Sequence, residues 1–181
     1  MIAEANAQDD FGIRWHGPSG VHQDSARLDL LMNVFGGRSG RLYRPLVEEK
    51  KLALEVQAYY ESRRYGGSIA IEATPREGVD VAELEKAIGA IVEEVRKDGV
   101  NDRELEKARN QQLADLVRTL KTSQGITQQL GYFETIGTQQ DFFAYVKTVE
   151  TTTAADLKRL AEQWLKPAGR NILVIKRKGK K

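Results

Sequence analysis

Two stretches of alternating polarity, residues 52–60 and 68–74, flank the break Arg64-Tyr65-Gly66-Gly67. Leu54, Val56 and Ala58 alternate with polar residues in the first, and Ile69, Ile71 and Ala73 do so in the second. A period of two puts such side chains on one side of an extended strand. Two such runs joined through glycines predict a β-hairpin, or two adjacent strands, with one covered face. Phe11, Ile13 and Trp15 repeat the alternation near the start and end at the loop Gly17-Pro18-Ser19-Gly20.

Helical periodicity fills the rest. Asp24 or Ser25 caps a segment in which Leu28, Leu31, Val34 and Phe35 share one apolar face, stopped by Gly36-Gly37. A short helix interrupted by Pro45 is expected over residues 40–49. Asp80 with Glu83 and Asn101 with Glu104 have capping-box spacing, each before an apolar stripe: Leu84, Ala87, Ile88, Ile91 and Val95, then Leu105, Ala108, Leu113, Leu116 and Leu120. Shorter helical stretches follow over 127–136 and 140–148. Thr153 with Asp156 caps a last helix, closed by Pro167 and Gly169. Ile172, Leu173, Val174 and Ile175 form a final strand, whose unbroken apolar run predicts cover on both sides or a subunit contact. Strands and helices do not alternate regularly, so a doubly wound parallel sheet is disfavoured. The expected class is α+β, a mostly antiparallel sheet with helices packed on one face. Residues 9–176 form one domain, preceded by a disordered or added lead at 1–8 and followed by a basic tail at 177–181.

Composition removes several functions. Lys and Arg total 28 against 26 Asp and Glu, so no broad basic footprint for nucleic acid exists. The basic residues at the end have no interleaved aromatic and read as a solvated tail. The chain has no cysteine, which excludes disulfides, thiolate zinc sites and cysteine nucleophiles. No apolar run is long enough for a membrane span.

The remaining chemistry is sparse. The two histidines, His16 and His22, flank a loop, with Asp24 two residues beyond the second. Zinc needs three or four converging ligands, and neither His-Glu-x-x-His nor its inverted form His-x-x-Glu-His occurs. No serine stands in a Gly-x-Ser-x-Gly elbow. Gly36-Gly37-Arg38-Ser39-Gly40 has two readings: a cradle for an anion at the following helix start, or a helix stop and turn. It is not a P-loop, because no Gly-Lys-Ser/Thr follows. Acidic and basic residues alternate along the long helices as a solvated face, and nothing marks a buried carboxylate pair.

Residues 35–53, from Phe35-Gly36-Gly37-Arg38-Ser39-Gly40-Arg41-Leu42 to Leu52-Ala53, resemble the second homologous half of the pitrilysin/insulinase/mitochondrial-processing-peptidase family. Members read Gly-Gly, then Ser-x-Arg-Leu, then Leu-Arg-Glu-x-x-Gly-Leu-Ala-Tyr. Asn101 to Arg109 resembles that family's Thr-x-x-Glu-Leu-x-x-Ala-Lys helix start, and Thr152 to Leu165 its closing Thr-x-x-Asp-Leu element. The likeness extends over about residues 9–176.

The resemblance implies a clamshell of two similar α+β halves. The first half holds zinc through the inverted motif and a distant Glu. The second lacks metal, closes the chamber and helps to position peptide. No cofactor is then expected in this chain, and zinc is expected in the partner half, on an upstream segment or a sister subunit. This chain alone would hydrolyse nothing. Active members supply an Arg and a Tyr from the second half, seven residues apart; here those positions are Val47 and Leu54, which offer no hydrogen-bonding side chain. Gly36, Gly37, Arg38, Ser39, Arg44 and Tyr59 are the substrate-binding candidates. The rival reading is a peptidase-derived structural or assembly subunit. Half a clamshell exposes its cavity face, so self-association of the isolated domain is expected. Likeness to short bacterial members points to a bacterial periplasm or envelope.

Overall fold

Three segments of apolar alternation and one unbroken apolar run build one antiparallel sheet in the order β2-β3-β1-β4. The strands are β1 (Asp10–Gly17), β2 (Ala53–Ser62), β3 (Gly67–Pro75) and β4 (Arg170–Ile175). A computed structural model describes residues 9–176; the lead at 1–8 and the tail at 177–181 lie outside the described residues. Phe11, Ile13 and Trp15 stand opposite Ala73, Ile71 and Ile69, so their side chains share the covered face. Val56, Ala58 and Tyr60 extend that face across β2. Leu54 does not. A bulge between Ala53 and Glu55 breaks the alternation, and Leu54 is left 41% exposed while Ala53 is fully buried.

The helices are α1 (Ser25–Phe35), α2 (Val81–Asp98), α3 (Asp102–Thr119), α4 (Ser123–Ile136), α5 (Gln139–Thr151) and α6 (Ala154–Trp164). A one-turn π-helical segment, Arg44–Glu49, carries Pro45 in its second position. The sequence assigns α1 a single apolar face, but Leu30 and Met32 are buried as deeply as Leu28 and Leu31. α1 touches β2, α3, α5 and α6, so it is enclosed nearly all round and forms the centre of the core. A second cluster, Phe133, Ile136 and Phe142, joins α4 to α5.

The caps at Asn101/Glu104 and Thr153/Asp156 form reciprocal boxes as their spacing predicts. At α2 only half the box is made: the Asp80 side chain accepts from the Ala82 amide, two residues on. Asp24 precedes α1 without capping it, because its carboxylate is taken by Arg159 on α6. Glu104 serves twice. Its Oε2 accepts from the Asn101 amide at 2.9 Å, and both its oxygens accept from Arg41 at 2.6 and 2.8 Å. This pairing holds the Glu104 carboxyl below its ordinary value against an opposing effect of burial, and it fastens the turn after α1 to the start of α3.

For the final strand, the first of the two expectations, cover on both sides, is not met. β4 is an edge strand that pairs only with β1, and Ile172, Leu173, Val174 and Ile175 are 37–56% exposed. Its apolar run is therefore uncovered on both faces by the described chain.

Lys51 adopts φ +54°, left-handed backbone that an L side chain disfavours. It stands where the family pattern of the preceding subsection has glycine. Strain of about 1–2 kcal/mol is relieved by glycine, whose extra freedom when unfolded returns about 0.5–1 kcal/mol. Lys51→Gly is thus expected to stabilise the fold by about 0.5–1 kcal/mol in urea unfolding. A loss of stability would show that the Lys51 side chain contributes more than its backbone strain removes.

Candidate functional site

The helices cover one face of the sheet, and the alternation of each strand sends a polar set to the other. Arg14 on β1 lies opposite Ala70 on β3, and Ala70 lies opposite Tyr59 on β2. The small alanine lets the two long side chains meet above it. Arg14 Nη2 donates to the Tyr59 hydroxyl at 2.9 Å and to Glu72 Oε1 at 2.5 Å, and the Tyr59 hydroxyl donates to the same carboxylate oxygen at 2.7 Å. Arg14 Nη1 adds a 3.3 Å bond to Ser68, and the guanidinium lies 5.8 Å from the Tyr59 ring centre. Burial pulls the Arg14 guanidinium down, but Glu72 and Tyr59 together hold it above its ordinary value. Burial and the bond to Glu72 raise the Tyr59 hydroxyl. Both groups therefore keep their protons, as hydrogen-bond donors rather than bases.

Beside this cluster is a groove of about 280 Å³, lined by Asp10, Gly12, Arg14, Glu55, Gln57, Glu72, Thr74 and the β4 residues Leu173 and Ile175, among others. Gly12 stands opposite Glu72 and Leu173 and has no side chain to fill the space between them. The volume falls just short of that of a drug-sized ligand site, and the groove is open rather than enclosed. It suits one or two side chains of a longer chain. Asp10, Glu55 and Glu72 give its lining an acidic balance against the guanidinium of Arg14.

The candidates named from sequence have separate surroundings. Tyr59 belongs to the open face. Gly36, Gly37, Arg38 and Ser39 form the turn after α1. Gly37 has φ +70°, and a Cβ on Gly40 would lie 2.1 Å from the Gly36 carbonyl oxygen, so the turn needs both glycines. The Ser39 carbonyl accepts from Lys107 of α3, and Arg38 is exposed. Arg44 is largely exposed and paired with Glu49 at 2.8 Å. No hydrogen bond or ion pair joins the turn or Arg44 to Tyr59 among the described residues. Arg14, Glu72 and Ser68 were missed. Their signal was the polar half of each alternation, but only the β1–β3 pairing brings them together.

Val47 and Leu54 are also far apart in environment. Val47 is buried, while Leu54 sits exposed at the bulge. The histidines do not converge. His16 lies next to the end of β1, opposite Ser68. His22 Nδ1 accepts from the Asp24 amide at 3.1 Å, and its ring meets Trp164 edge-on at 6.1 Å. No group of three His, Asp or Glu able to hold a metal occurs among the described residues. Among the described residues, the two histidines and Asp24 do not make the three or four converging ligands that zinc needs.

Known proteins share this architecture. The sequence is 26% identical over 163 residues to the zinc protease PqqE of Helicobacter pylori, covering 88% of this chain and 36% of that protein. It is 28% identical over 103 residues to YmxG, an uncharacterised zinc protease of Bacillus subtilis, covering 56% of this chain and 25% of that protein. The chain thus spans about a third or less of these curated relatives. A Helicobacter pylori protease structure superposes with a TM-score of 0.90 at 22% identity, covering 96% of this chain and 42% of that one. The inactive peptidase domain from Bordetella parapertussis superposes at 0.89 with 23% identity, covering 99% and 96%. The described fold, an antiparallel sheet with helices on one face, is that of these two structures. The family profile described as the peptidase M16 inactive domain matches residues 2–112, and the chain belongs to that family.

Proposed function

We propose that this inactive M16 domain closes the substrate chamber of a zinc peptidase with the open face of its sheet and helps to position peptide there. The carrying observation is that face itself: uncovered by helices, polar, and organised about Arg14, Tyr59 and Glu72 above Ala70. Its donors and carboxylates can orient a bound chain, and orientation is a catalytic contribution that needs no reactive group. The acidic groove favours basic side chains. A zinc-bearing homologous half, on an upstream segment or a sister subunit, supplies the metal. The short coverage of PqqE supports a larger parent assembly.

A second reading rests on Val47 and Leu54. Without side-chain donors at those positions, a structural or assembly role retains the pairing of halves without a substrate contact. The two readings separate in one experiment. The chain is mixed with its zinc-bearing half, and cleavage of an internally quenched basic peptide is followed. Cleavage is expected from the mixture and from neither half alone. Arg14→Ala is expected to lower kcat/KM of the mixture by about tenfold, the loss of one charge-assisted hydrogen bond from the guanidinium to a peptide carbonyl. A mixture that forms and cleaves equally well with Arg14→Ala favours the scaffold role. Cleavage by the stringently purified chain alone overturns both readings.

A further inference from the structure

A second cavity, of about 180 Å³ and open to solvent on one side, lies away from the open sheet face, between the start of α1, α3, α4, α5 and the end of β2. Asp29 of α1 reaches it. Asp29 Oδ2 accepts from the Tyr145 hydroxyl at 2.8 Å, which in turn accepts from Gln112 Nε2 at 2.7 Å. Gln112 Oε1 accepts from Asn33, one helical turn beyond Asp29, which closes a ring of hydrogen bonds across α1, α3 and α5. That ring fixes the carboxylate in place and leaves Asp29 Oδ1 without a hydrogen bond from the described residues. Burial pushes the Asp29 carboxyl up to about 7, against the Tyr145 bond that lowers it. An ionised carboxylate held there lacks a compensating cation of its own.

The rest of the lining selects the charge and size of what could supply one. No lysine or arginine lines the cavity. Asp115 adds a carboxylate at the rim, where it pairs outward with Arg118 at 3.1 Å. Phe133 packs edge-to-face with Tyr132, Phe142 and Tyr145 at 5.4, 5.5 and 5.8 Å, forming an aromatic wall. A carboxylate beside aromatic rings attracts an organic cation through both charge and ring quadrupole. A hard metal ion is less suited, because calcium takes six to eight oxygen ligands. At about 30 Å³ per water the space equals roughly six waters, so only a small group enters.

We propose that this cavity binds a primary ammonium group on a short alkyl chain, with Asp29 as its counter-ion and the Phe133-centred rings as its wall. The ammonium could belong to a free alkylamine or to a lysine side chain, and the test separates these sources. n-Butylammonium and Nα-acetyl-lysine-methylamide are titrated into the isotopically labelled chain, and chemical shifts of the Gln112 side-chain amide and of the α4 and α5 amides are followed. Saturable shifts are expected with at least one probe, and the tighter probe identifies the source. n-Butanol, of similar shape but uncharged, is expected to bind at least about tenfold more weakly. Asp29→Asn keeps an acceptor for Tyr145 and is expected to weaken the ammonium probe about tenfold. Gln129→Trp, which fills the cavity from α4, is expected to abolish the shifts and covers the case in which the Asn variant folds poorly. No saturable shift with either amine overturns the proposal. So does equal binding of butanol, or binding unchanged in both variants.

Discussion

Arg159→Met is expected to lower the unfolding free energy by about 3 kcal/mol, the low end of what removing one partner of a buried ion pair costs. Asp24 is only 1% exposed, at the entrance to the central helix α1. Arg159 Nη2 donates to its Oδ1 at 2.7 Å, and Nη1 reaches Oδ2 at 3.5 Å. The guanidinium itself is 45% exposed, so it stays hydrated when its partner is removed, whereas the carboxylate has no such recourse. The asymmetry gives the test its form. Asp24→Asn leaves a hydrated Arg159 and a neutral buried amide, and is expected to cost less than Arg159→Met. The double variant is expected to recover most of the loss, because a buried acid without a partner is the expensive state. Urea unfolding with an unchanged m-value provides the measurement. A loss below about 0.5 kcal/mol for Arg159→Met would place the pair among ordinary surface contacts. The site matters beyond stability, since α6 leads through Pro167–Gly169 directly into the exposed edge strand β4.

Neither Asp24 nor Arg159 announces this role in the sequence. Asp24 has the spacing of a cap, and caps are local: Asn101 with Glu104 and Thr153 with Asp156 are legible because each box closes within one turn. Asp24 is diverted by a residue 135 positions away, which no local pattern encodes. The hairpin was legible for the same reason as the boxes, and its one error, Leu54, came from a bulge that shifts register by a residue. The polar face was visible as alternation, but its centre was not. Arg14, Tyr59 and Glu72 meet only because β1 inserts beside β3, across 58 residues of chain from Arg14 to Glu72. The turn at Gly36-Gly37-Arg38-Ser39 was legible as a turn; its fastening through Arg41 to Glu104 depended on where α3 begins. The family resemblance carried the fold, because order and spacing of weak motifs carry topology that single motifs lack, but it pointed to neither Arg14 nor Glu72.

The central helix holds the second large effect. α1 is apolar almost all round, yet it carries Asp29 on the side facing α3 and α5. In the folded chain burial pushes the Asp29 carboxyl up to about 7, well above the ordinary carboxylate range near 3.8. Below the lower value both folded and unfolded chains hold the proton, and the group makes no difference. Between the two values the native chain keeps a proton that the unfolded chain has released, so stability falls as pH rises. Above about 7 both are ionised and the loss is complete. The gap between the two values corresponds to at most about 4 kcal/mol, and cavity water screens part of it. Asp29→Asn is therefore expected to stabilise the chain by about 1–3 kcal/mol at pH 8 and by almost nothing below pH 4. The amide oxygen still accepts from Tyr145, so the ring through Gln112 and Asn33 survives the exchange. Urea midpoints of both proteins from pH 4 to pH 8 measure the difference. An equal difference at every pH would trace the effect to packing rather than charge. A destabilised variant at pH 8 would show that the ionised carboxylate is already compensated within the fold. An acid kept at this position against its own solvation is what a cation-binding pocket requires, and n-butylammonium should restore to the native protein at pH 8 part of the stability that the Asn variant gains by losing the charge.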